Sequence, residues 1–289
     1  MTQTVTVRWA SGDVYEPYVG RWSRLVAREF LAWLDAPARL DWLDVGCGTG
    51  ALTEAVAQHC APSRLAGIDP SAGFLDFARD RLSQSAAEFR RADAQSLPFG
   101  AAAFDRVVSG LVLNFVPDKP RAAAEMARVV RPGGEVALYV WDYSGRMELM
   151  RRFWDAATDL DPRAREFDEG PLSPICRPEP LQKLFDEAGL RDVATRGFDV
   201  PTVFRDFDDY WTPFLGGQAP APAYCMSLDE EARAALRERL RASLPAAPDG
   251  SIHLIARAWA VRGRKARGSR RIGANHVGGR GEPGHGGAK

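Results

Sequence analysis

Cysteine and histidine are scarce in this 289-residue chain, and long apolar runs are missing. There are four residues of each type, and the cysteines are Cys47, Cys60, Cys176 and Cys225. No two cysteines have the close spacing of a zinc site, so we expect no metal, no disulfide framework and a reducing, cytoplasmic setting. No run approaches the roughly 18 apolar residues of a membrane span, and residues 1–10 lack the apolar segment of a secretory signal.

An excess of one charge sign is also lacking, since 38 basic residues balance 38 acidic ones. The distribution is uneven, however. Residues 262–289 hold eight basic residues and one acidic residue, which leaves residues 1–261 with a net charge of −7. The acidic part argues against a broad nucleic-acid surface. The Gly- and Arg-rich tail is interpreted as a disordered, solvated extension, with an arm for nucleic acid or an acidic partner as the alternative.

Residues 40–143 alternate short apolar runs with helical patterns, which predicts βαβ units and a parallel sheet. The predicted strands are 42–45, 65–68, 88–91, 104–113 and 135–141. The predicted helices are 49–60, 71–82 and a third helix, which begins after its cap Asp118 and ends at residues 131–134. Further segments are a helix over 15–34, helices over 147–160, 180–188 and within 227–244, and strands over 193–200 and 252–261. We therefore divide the chain into a helical cap (1–39), a core (40–143), an acceptor-side insertion with the C-terminal strands (144–261) and the tail.

The strongest motif is the run LDVGCGTG over residues 43–50. Glycines between a strand and a helix let the backbone bend tightly and approach a ligand, and the helix presents free N–H groups. A glycine turn of this kind also fits a dinucleotide site. Asp44 argues against a dinucleotide site, because a carboxylate at the mouth of the site repels a pyrophosphate and suits an ammonium group.

Acidic residues also follow the next two strands. Asp69 lies 19 residues after Gly50, where a carboxylate can accept hydrogen bonds from both hydroxyls of a ribose. Asp93, after the third strand, can accept a hydrogen bond from an adenine amino group. Nicotinamide and S-adenosylmethionine sites share the ribose contact. The alternatives are a surface turn at Asp69 and an ordinary loop at Asp93.

Together these motifs resemble the class I S-adenosylmethionine-dependent methyltransferases, particularly the small-molecule branch that includes ubiquinone/menaquinone-type enzymes. The resemblance runs through LDVGCGTG (43–50), GIDPSAGFLDFAR (67–79), RADAQSLPF (91–99), AFDRVVSGLVLNFVPD (103–118) and RVVRPGGEVAL (128–138). It implies a Rossmann-like, doubly wound α/β fold with a seven-stranded, mostly parallel sheet whose last strand is antiparallel. It also implies S-adenosylmethionine as cofactor and says little about the acceptor.

The resemblance further implies where the cofactor contacts this chain. The methionine part would lie near Gly46, Cys47, Gly48 and Gly50, the ribose at Asp69 and Pro70, the adenine at Asp93 and Ala94, and the sulfonium above Ser109, Gly110 and Leu111. The first helices often fold over the cofactor in this family. The candidates here are Tyr15, Tyr18, Trp22 and Arg21, the last meeting the cofactor carboxylate. The alternative is that these aromatic residues belong to the core.

Methyl transfer is an in-line displacement on an activated sulfonium, so alignment matters most and no protein nucleophile is required. The sequence identifies no general base. Asn114, Asp142 and Tyr143 lie where ligands bind in such sheets and are candidates for the acceptor side. An acidic, aromatic run at 204–211 suits an amine or aromatic acceptor, or is a helix packed by its aromatic residues.

Three other functions remain open from sequence. An NAD(P)-dependent oxidoreductase is opposed by Asp44, by the Asp93 loop and by the lack of a Tyr-x-x-x-Lys pair. A nucleic-acid methyltransferase has only the basic tail in its favour. The third is a cofactor-binding protein without catalysis. The acceptor is expected to be a small molecule, and the sequence leaves the oligomeric state open.

Overall fold

The computed structural model describes residues 16–217 and 219–267. A single seven-stranded sheet with the order β3-β2-β1-β4-β5-β7-β6 organises this part of the chain. The strands are β1 (Asp41–Val45), β2 (Arg64–Asp69), β3 (Glu88–Arg91), β4 (Phe104–Gly110), β5 (Val130–Trp141), β6 (Arg191–Phe204) and β7 (Ile252–Arg264). Strands β1 to β5 pair in parallel, and β7 pairs antiparallel with both β5 and β6. The predicted Rossmann-like α/β fold with an antiparallel last strand is confirmed.

The helices begin with a π-helical turn (Glu16–Gly20) that leads into α1. The α-helices are α1 (Arg21–Leu34), α2 (Ala51–His59), α3 (Ala72–Arg81), α4 (Lys119–Val129), α5 (Glu148–Leu160), α6 (Glu169–Leu172), α7 (Pro178–Glu187), α8 (Phe207–Trp211), α9 (Pro220–Ser227) and α10 (Glu230–Ser243). Short 3-10 helices cover Leu113–Phe115, Pro162–Phe167 and Thr212–Gly216. No helix in the described ranges is both long and apolar enough to cross a membrane.

Local chemistry explains the core elements. Asp118 caps α4 by accepting a hydrogen bond from the Arg121 N–H at 3.0 Å, as predicted. Strand β1 and the middle of β5 are buried continuously, which is typical of strands that helices cover on both faces. The parallel arrangement brings the carboxyl ends of β1, β2, β4 and β5 to the same edge of the sheet. A ligand site is expected at that edge.

Several predicted boundaries were wrong. The fourth strand ends at Gly110 and not at residue 113, and the strand predicted over 193–200 extends over Arg191–Phe204. Residues 131–134 do not separate a helix from a strand, because β5 already begins at Val130, directly after α4. The proposed tail from Arg262 also begins too early, since β7 runs to Arg264. There Arg262 donates to the Trp33 carbonyl at 2.9 Å, and the Lys265 ammonium donates to the Arg128 and Val130 carbonyls at 3.1 and 3.0 Å. Residues 268–289 of the predicted tail lie outside the described residues.

The segment between β5 and β7 builds a helical layer beside the carboxyl edge. Helix α5 packs against α10, against α9 and against β7. Its stacked aromatic core includes Phe153 and Phe214, whose ring centroids are 4.5 Å apart. The predicted loops at 170–180 and 216–222 are partly helical, because α6, α7 and α9 begin or end within them. This layer positions side chains from distant parts of the sequence around the edge of the sheet.

Candidate functional site

A cavity of about 940 Å³ opens at the carboxyl edge of β1, β2 and β4. Its lining combines the glycine turn, the end of β2, the end of β4 and the start of α3. The lining residues are Ser23, Asp44, Gly46, Cys47, Gly48, Thr49, Ala51, Leu52, Asp69, Pro70, Ser71, Phe74, Gly110, Leu111, Val112, Phe115 and Tyr139. Half of the predicted cofactor residues therefore meet in one place.

The glycine turn has the backbone that the sequence predicts. Gly46, Gly48 and Gly50 all have positive φ, at 73°, 53° and 88°. A Cβ at Gly46 would come within 2.5 Å of the Val112 side chain, whereas a Cβ at Gly48 would meet nothing within 4 Å. Gly46 is thus required for packing, and Gly48 leaves space that a ligand can fill.

Asp44 lies at the buried floor of the cavity, and not at its mouth as predicted. It is 1% exposed, and its Oδ2 accepts a hydrogen bond from the Thr53 hydroxyl at 2.6 Å. Its other carboxyl oxygen is buried without a hydrogen-bond partner in the structure. Burial raises the pKa of Asp44 from 3.8 to about 7, and the Thr53 hydrogen bond opposes that shift. An unpartnered, buried carboxylate oxygen favours a cationic donor as its missing partner.

Asp69 ends β2 and reaches back to the glycine turn. Its carboxylate accepts hydrogen bonds from the Gly48 N–H at 3.1 Å and from the Ser71 N–H at 2.8 Å. Burial raises its pKa above the ordinary value, and both backbone hydrogen bonds oppose this shift. Asp69 therefore holds the glycine turn in place and also forms part of the cavity wall.

Four other predicted positions, Gly50, Asp93, Ala94 and Ser109, do not line this cavity. The Asp93 carboxylate is exposed and accepts hydrogen bonds from the Gln95 backbone N–H at 2.8 Å and from its side-chain amide at 3.0 Å. Ala94 and Ser109 are buried at 9% and 4% exposure. Their predicted contacts with adenine and with the sulfonium remain predictions.

The N-terminal candidates divide between core and surface roles. Arg21 does not line the cavity, because its guanidinium pairs with the Asp209 carboxylate at 3.0 Å and lies over the Trp22 and Phe204 rings. Tyr18 and Trp22 are buried against Phe214 and Phe204 respectively, so the core interpretation fits them. Among the described residues of this region, Ser23 alone lines the cavity. Tyr15 lies outside the described residues.

A second cavity of about 630 Å³ adjoins the first, and Leu111 and Phe115 line both. Its other lining residues are Val19, Asn114, Trp141, Tyr143, Met150, Glu169, Leu172, Ser173, Ala219 and Pro220. Leu111 has a positive φ of 62°, which is unusual for a residue with a side chain. A strained residue between two adjoining cavities is typical of a functional site.

The predicted acceptor-side residues only partly reach this second cavity. Asn114 and Tyr143 line it, whereas Asp142 does not and instead accepts a hydrogen bond from the Arg146 N–H at 3.0 Å. The aromatic residues of the 204–211 run are buried, with Phe204 at the end of β6 and the other rings in α8, so the interpretation as a run packed by its rings fits, although only residues 207–211 are helical. Among the described residues, no group of three or more His, Cys, Asp or Glu side chains is placed to hold a metal ion.

Sequence reasoning missed several lining residues. Thr49, Phe74 and Val112 lie within or beside the motifs, so their positions next to the glycine turn and β4 were the available signal. Trp141, Met150 and Glu169 had none, because their places depend on packing between α5, α6 and the sheet.

Comparisons with known proteins agree with this geometry. Residues 43–138 match a family described as "Methyltransferase domain". The chain is 36% identical over 131 residues to the biotin biosynthesis bifunctional protein of Cellvibrio japonicus, covering 44% of this chain and 25% of that protein. It is 28% identical over 179 residues to the malonyl-[acyl-carrier protein] O-methyltransferase of Acetivibrio thermocellus, covering 61% and 60%. These two relatives are thus matched over less than two thirds of their own length.

A longer match decides the family. The demethylmenaquinone methyltransferase of Bacillus licheniformis is 32% identical over 185 residues, which cover 57% of this chain and 76% of that enzyme. The chain belongs to the S-adenosylmethionine-dependent methyltransferases. The predicted enzyme class and cofactor are confirmed, and the oxidoreductase and nucleic-acid alternatives gain no support.

Solved structures show that the methyltransferase fold extends over most of the chain. The YcgJ protein of Bacillus subtilis has a TM-score of 0.55 at 18% identity and covers 86% of this chain and 100% of that one. The phosphoethanolamine N-methyltransferase 2 of Haemonchus contortus, solved with S-adenosyl-L-methionine, has a TM-score of 0.54 at 15% identity and covers 84% and 53%. At these identities the likeness concerns the fold alone.

Proposed function

We propose that the cavity at the carboxyl edge binds S-adenosylmethionine, and that the methyl group passes to a small molecule bound in the adjoining cavity. The observation that carries this proposal is the unpartnered, buried Oδ1 of Asp44 beside the open space at Gly48. A cationic amino group is the partner that such an oxygen lacks. The amino acid part of the cofactor supplies one.

The remaining cofactor contacts are assigned from the predicted motifs, and Gly46, Cys47, Gly48, Asp69 and Pro70 among them also line the cavity. Gly46, Cys47, Gly48 and Gly50 would surround the methionine part, and Asp69 with Pro70 would hold the ribose. Asp93 and Ala94 lie after β3, the next strand beyond β2, and would meet the adenine. When bound, the cofactor supplies an electrophilic methyl group on a good leaving group. The protein's task is then to align the acceptor and exclude water.

The acceptor side is assigned to the helical layer that follows β5. Residues 144–251 contribute Met150, Glu169, Leu172 and Ser173 to the second cavity, and they lie beyond the matched methyltransferase domain. The lining is mostly apolar, so an apolar small molecule fits better than a nucleic acid. We also propose a cytoplasmic location, because all four cysteine thiols are buried and free, as in a reducing compartment.

Isothermal titration calorimetry of the purified chain tests the proposal. S-adenosylhomocysteine should bind saturably with one site per chain, and NAD⁺ and NADP⁺ should not bind. Incubation with methyl-labelled S-adenosylmethionine and a small-molecule metabolite extract should then give labelled product. Binding of NAD⁺ without binding of S-adenosylhomocysteine would overturn the proposal.

A further inference from the structure

Glu169 is the one acidic residue among the described residues that line the second cavity, whose lining is mostly apolar. Glu169 is 7% exposed, although it lines the cavity beside Tyr143, Met150 and Leu172. A carboxyl group in such a place destabilises the folded chain when ionised, unless it meets a compensating group. Its position in the cavity wall presents a carboxyl group to a molecule that enters the cavity.

The surrounding helices hold Glu169 firmly in place. The Trp154 indole N–H of α5 donates to its Oε2. Asp168, the preceding residue, caps α6 through the Gly170 N–H at 2.8 Å and pairs with the Arg151 guanidinium of α5, whose Nη1 lies 2.9 Å from Oδ2. The Ser144 hydroxyl donates to the Gly170 carbonyl at 2.8 Å. Glu169 is thus anchored from α5 and from the loop after β5.

The rim of the same cavity is apolar and exposed. Phe115 is 45% exposed and Leu172 is 64% exposed, and they are among the few large apolar side chains that the described surface leaves accessible. Phe115 also lines the cofactor cavity. An apolar, ring-bearing molecule that enters past this rim would lie between Glu169 and the proposed cofactor site.

We propose that Glu169 is the general base for methyl transfer to the hydroxyl oxygen of an apolar aromatic acceptor. This inference rests on the proposed function and names its substrate class. As the acceptor oxygen forms its bond to the methyl carbon, the sulfur–methyl bond breaks and its electron pair stays on sulfur, which becomes a neutral thioether. The hydroxyl proton passes to the Glu169 carboxylate, so the step needs no further reactant.

The electrostatics around Glu169 favour this direction of proton transfer. Burial raises its pKa from 4.5 to about 7, and Asp168 adds to that shift, whereas the Trp154 hydrogen bond and Arg151 oppose it. Tyr18, whose own pKa is raised by burial and by Glu169, also faces this region. A base with a pKa near the working pH combines a populated carboxylate with a favourable proton affinity.

The test uses the full chain with 1-naphthol as the probe acceptor. In protein saturated with S-adenosylhomocysteine, 1-naphthol should quench tryptophan fluorescence, because Trp141 lines the cavity. With S-adenosylmethionine held at saturating concentration at every pH, so that ionisation of Asp44 does not affect the rate, 1-methoxynaphthalene formation should become faster as the pH rises through about 7 and Glu169 ionises. Glu169→Gln should lower this rate by about 100-fold and remove the rise near pH 7, while it changes S-adenosylhomocysteine affinity less than about threefold.

Matched variants separate catalysis from folding. Glu166→Gln changes an exposed glutamate three residues earlier and should leave rate and pH profile unchanged. Glu169→Asp should keep a reduced rate with a rise near neutral pH. If Glu169→Gln keeps the wild-type rate and profile, or if 1-naphthylamine is methylated and 1-naphthol is not, the inference fails while the proposed function stands. Absence of S-adenosylhomocysteine binding in the wild type would instead refute the proposed function.

Discussion

Replacement of Asp44 with asparagine should stabilise the ligand-free chain at neutral and alkaline pH and weaken its cofactor binding. Asp44 is buried and has a pKa of about 7, against 3.8 for an ordinary aspartate. Between those two pH values the folded state binds more protons at this site than the unfolded state does. The free energy of unfolding therefore falls as the pH rises from about 4 to about 7.

The size of the effect follows from the shift in pKa. Each unit corresponds to about 1.4 kcal/mol, so ionised Asp44 destabilises the folded state by about 4 kcal/mol above pH 7. Between pH 5 and pH 8 the loss amounts to about 2–3 kcal/mol. Asparagine is uncharged in this pH range, so the variant avoids this loss. It also disturbs the hydrogen bond from Thr53, which reduces the gain in stability by about 1 kcal/mol.

The assay is urea unfolding of wild type and variant at several pH values between 5 and 8. The unfolding free energy of the variant minus that of the wild type should increase by about 2–3 kcal/mol between pH 5 and pH 8. Glu169 titrates in both proteins, so its contribution cancels in the difference. If the unfolding free energies of the two proteins change in parallel with pH, the assignment of a raised pKa to Asp44 is refuted.

Ligand binding should show the opposite preference. If the cofactor's ammonium group pairs with Asp44, the variant loses a charge-assisted hydrogen bond worth about 1.5–3 kcal/mol, or about 10- to 150-fold in S-adenosylhomocysteine affinity. Wild-type affinity should fall as the pH drops below about 7, where Asp44 becomes protonated. Equal affinity of both proteins at pH 8, measured by calorimetry, would show that the ammonium group binds elsewhere.

Three further predictions concern the same edge of the sheet. Gly48→Leu should keep a folded chain by circular dichroism, with some loss of stability from its positive φ, and should lose S-adenosylhomocysteine binding because its side chain enters open space. Gly46→Ala should lower the melting temperature more, because its Cβ also meets the Val112 side chain. The reverse pattern would contradict this structure of the turn. Asp69→Ala should weaken S-adenosylhomocysteine binding by about 10- to 100-fold. The substitution removes the proposed acceptor for the ribose hydroxyls and the acceptor of the Gly48 and Ser71 N–H groups. Asp76→Ala, which changes an exposed residue of α3, is the control and should bind S-adenosylhomocysteine as the wild type does. At pH 8 the double variant Asp44→Asn, Glu169→Gln should gain an unfolding free energy equal to the sum of the two single gains, to within about 0.5 kcal/mol. The reason is that neither carboxylate contributes to the pKa of the other. A departure from this sum of more than about 1 kcal/mol would place both carboxylates in one site.

The sheet and the cofactor cavity could be predicted from sequence because their signals are local. Asp44, Gly46, Gly48 and Asp69 lie within a few residues of strand ends, and parallel pairing alone brings those ends together. The limits of this reasoning appear where short motifs meet distant partners. Arg21 pairs with Asp209, 188 residues away, so no local pattern could show that its guanidinium was already engaged.

The acceptor cavity illustrates the other limit. Glu169 belongs to a four-residue helix in a segment that matches no motif, and nothing in its neighbours along the sequence distinguishes it from the exposed Glu166. Its burial depends on packing against α5, whose Trp154 donates to its carboxylate and whose Arg151 pairs with the preceding Asp168. A single sequence carries no short-range record of such packing.

The two buried carboxyl groups have a common physical origin and different proposed partners. Each is placed in a cavity wall where ionisation is unfavourable, and each has its pKa raised to about 7 mainly by burial. Asp44 faces the glycine turn, where a permanent cation restores its charged form, whereas Glu169 faces an apolar cavity, where acquiring a proton relieves its charge. Cofactor binding should therefore release a proton at Asp44, and methyl transfer should take one up at Glu169. This division assigns the binding step and the chemical step to separate carboxylates on either side of Leu111 and Phe115.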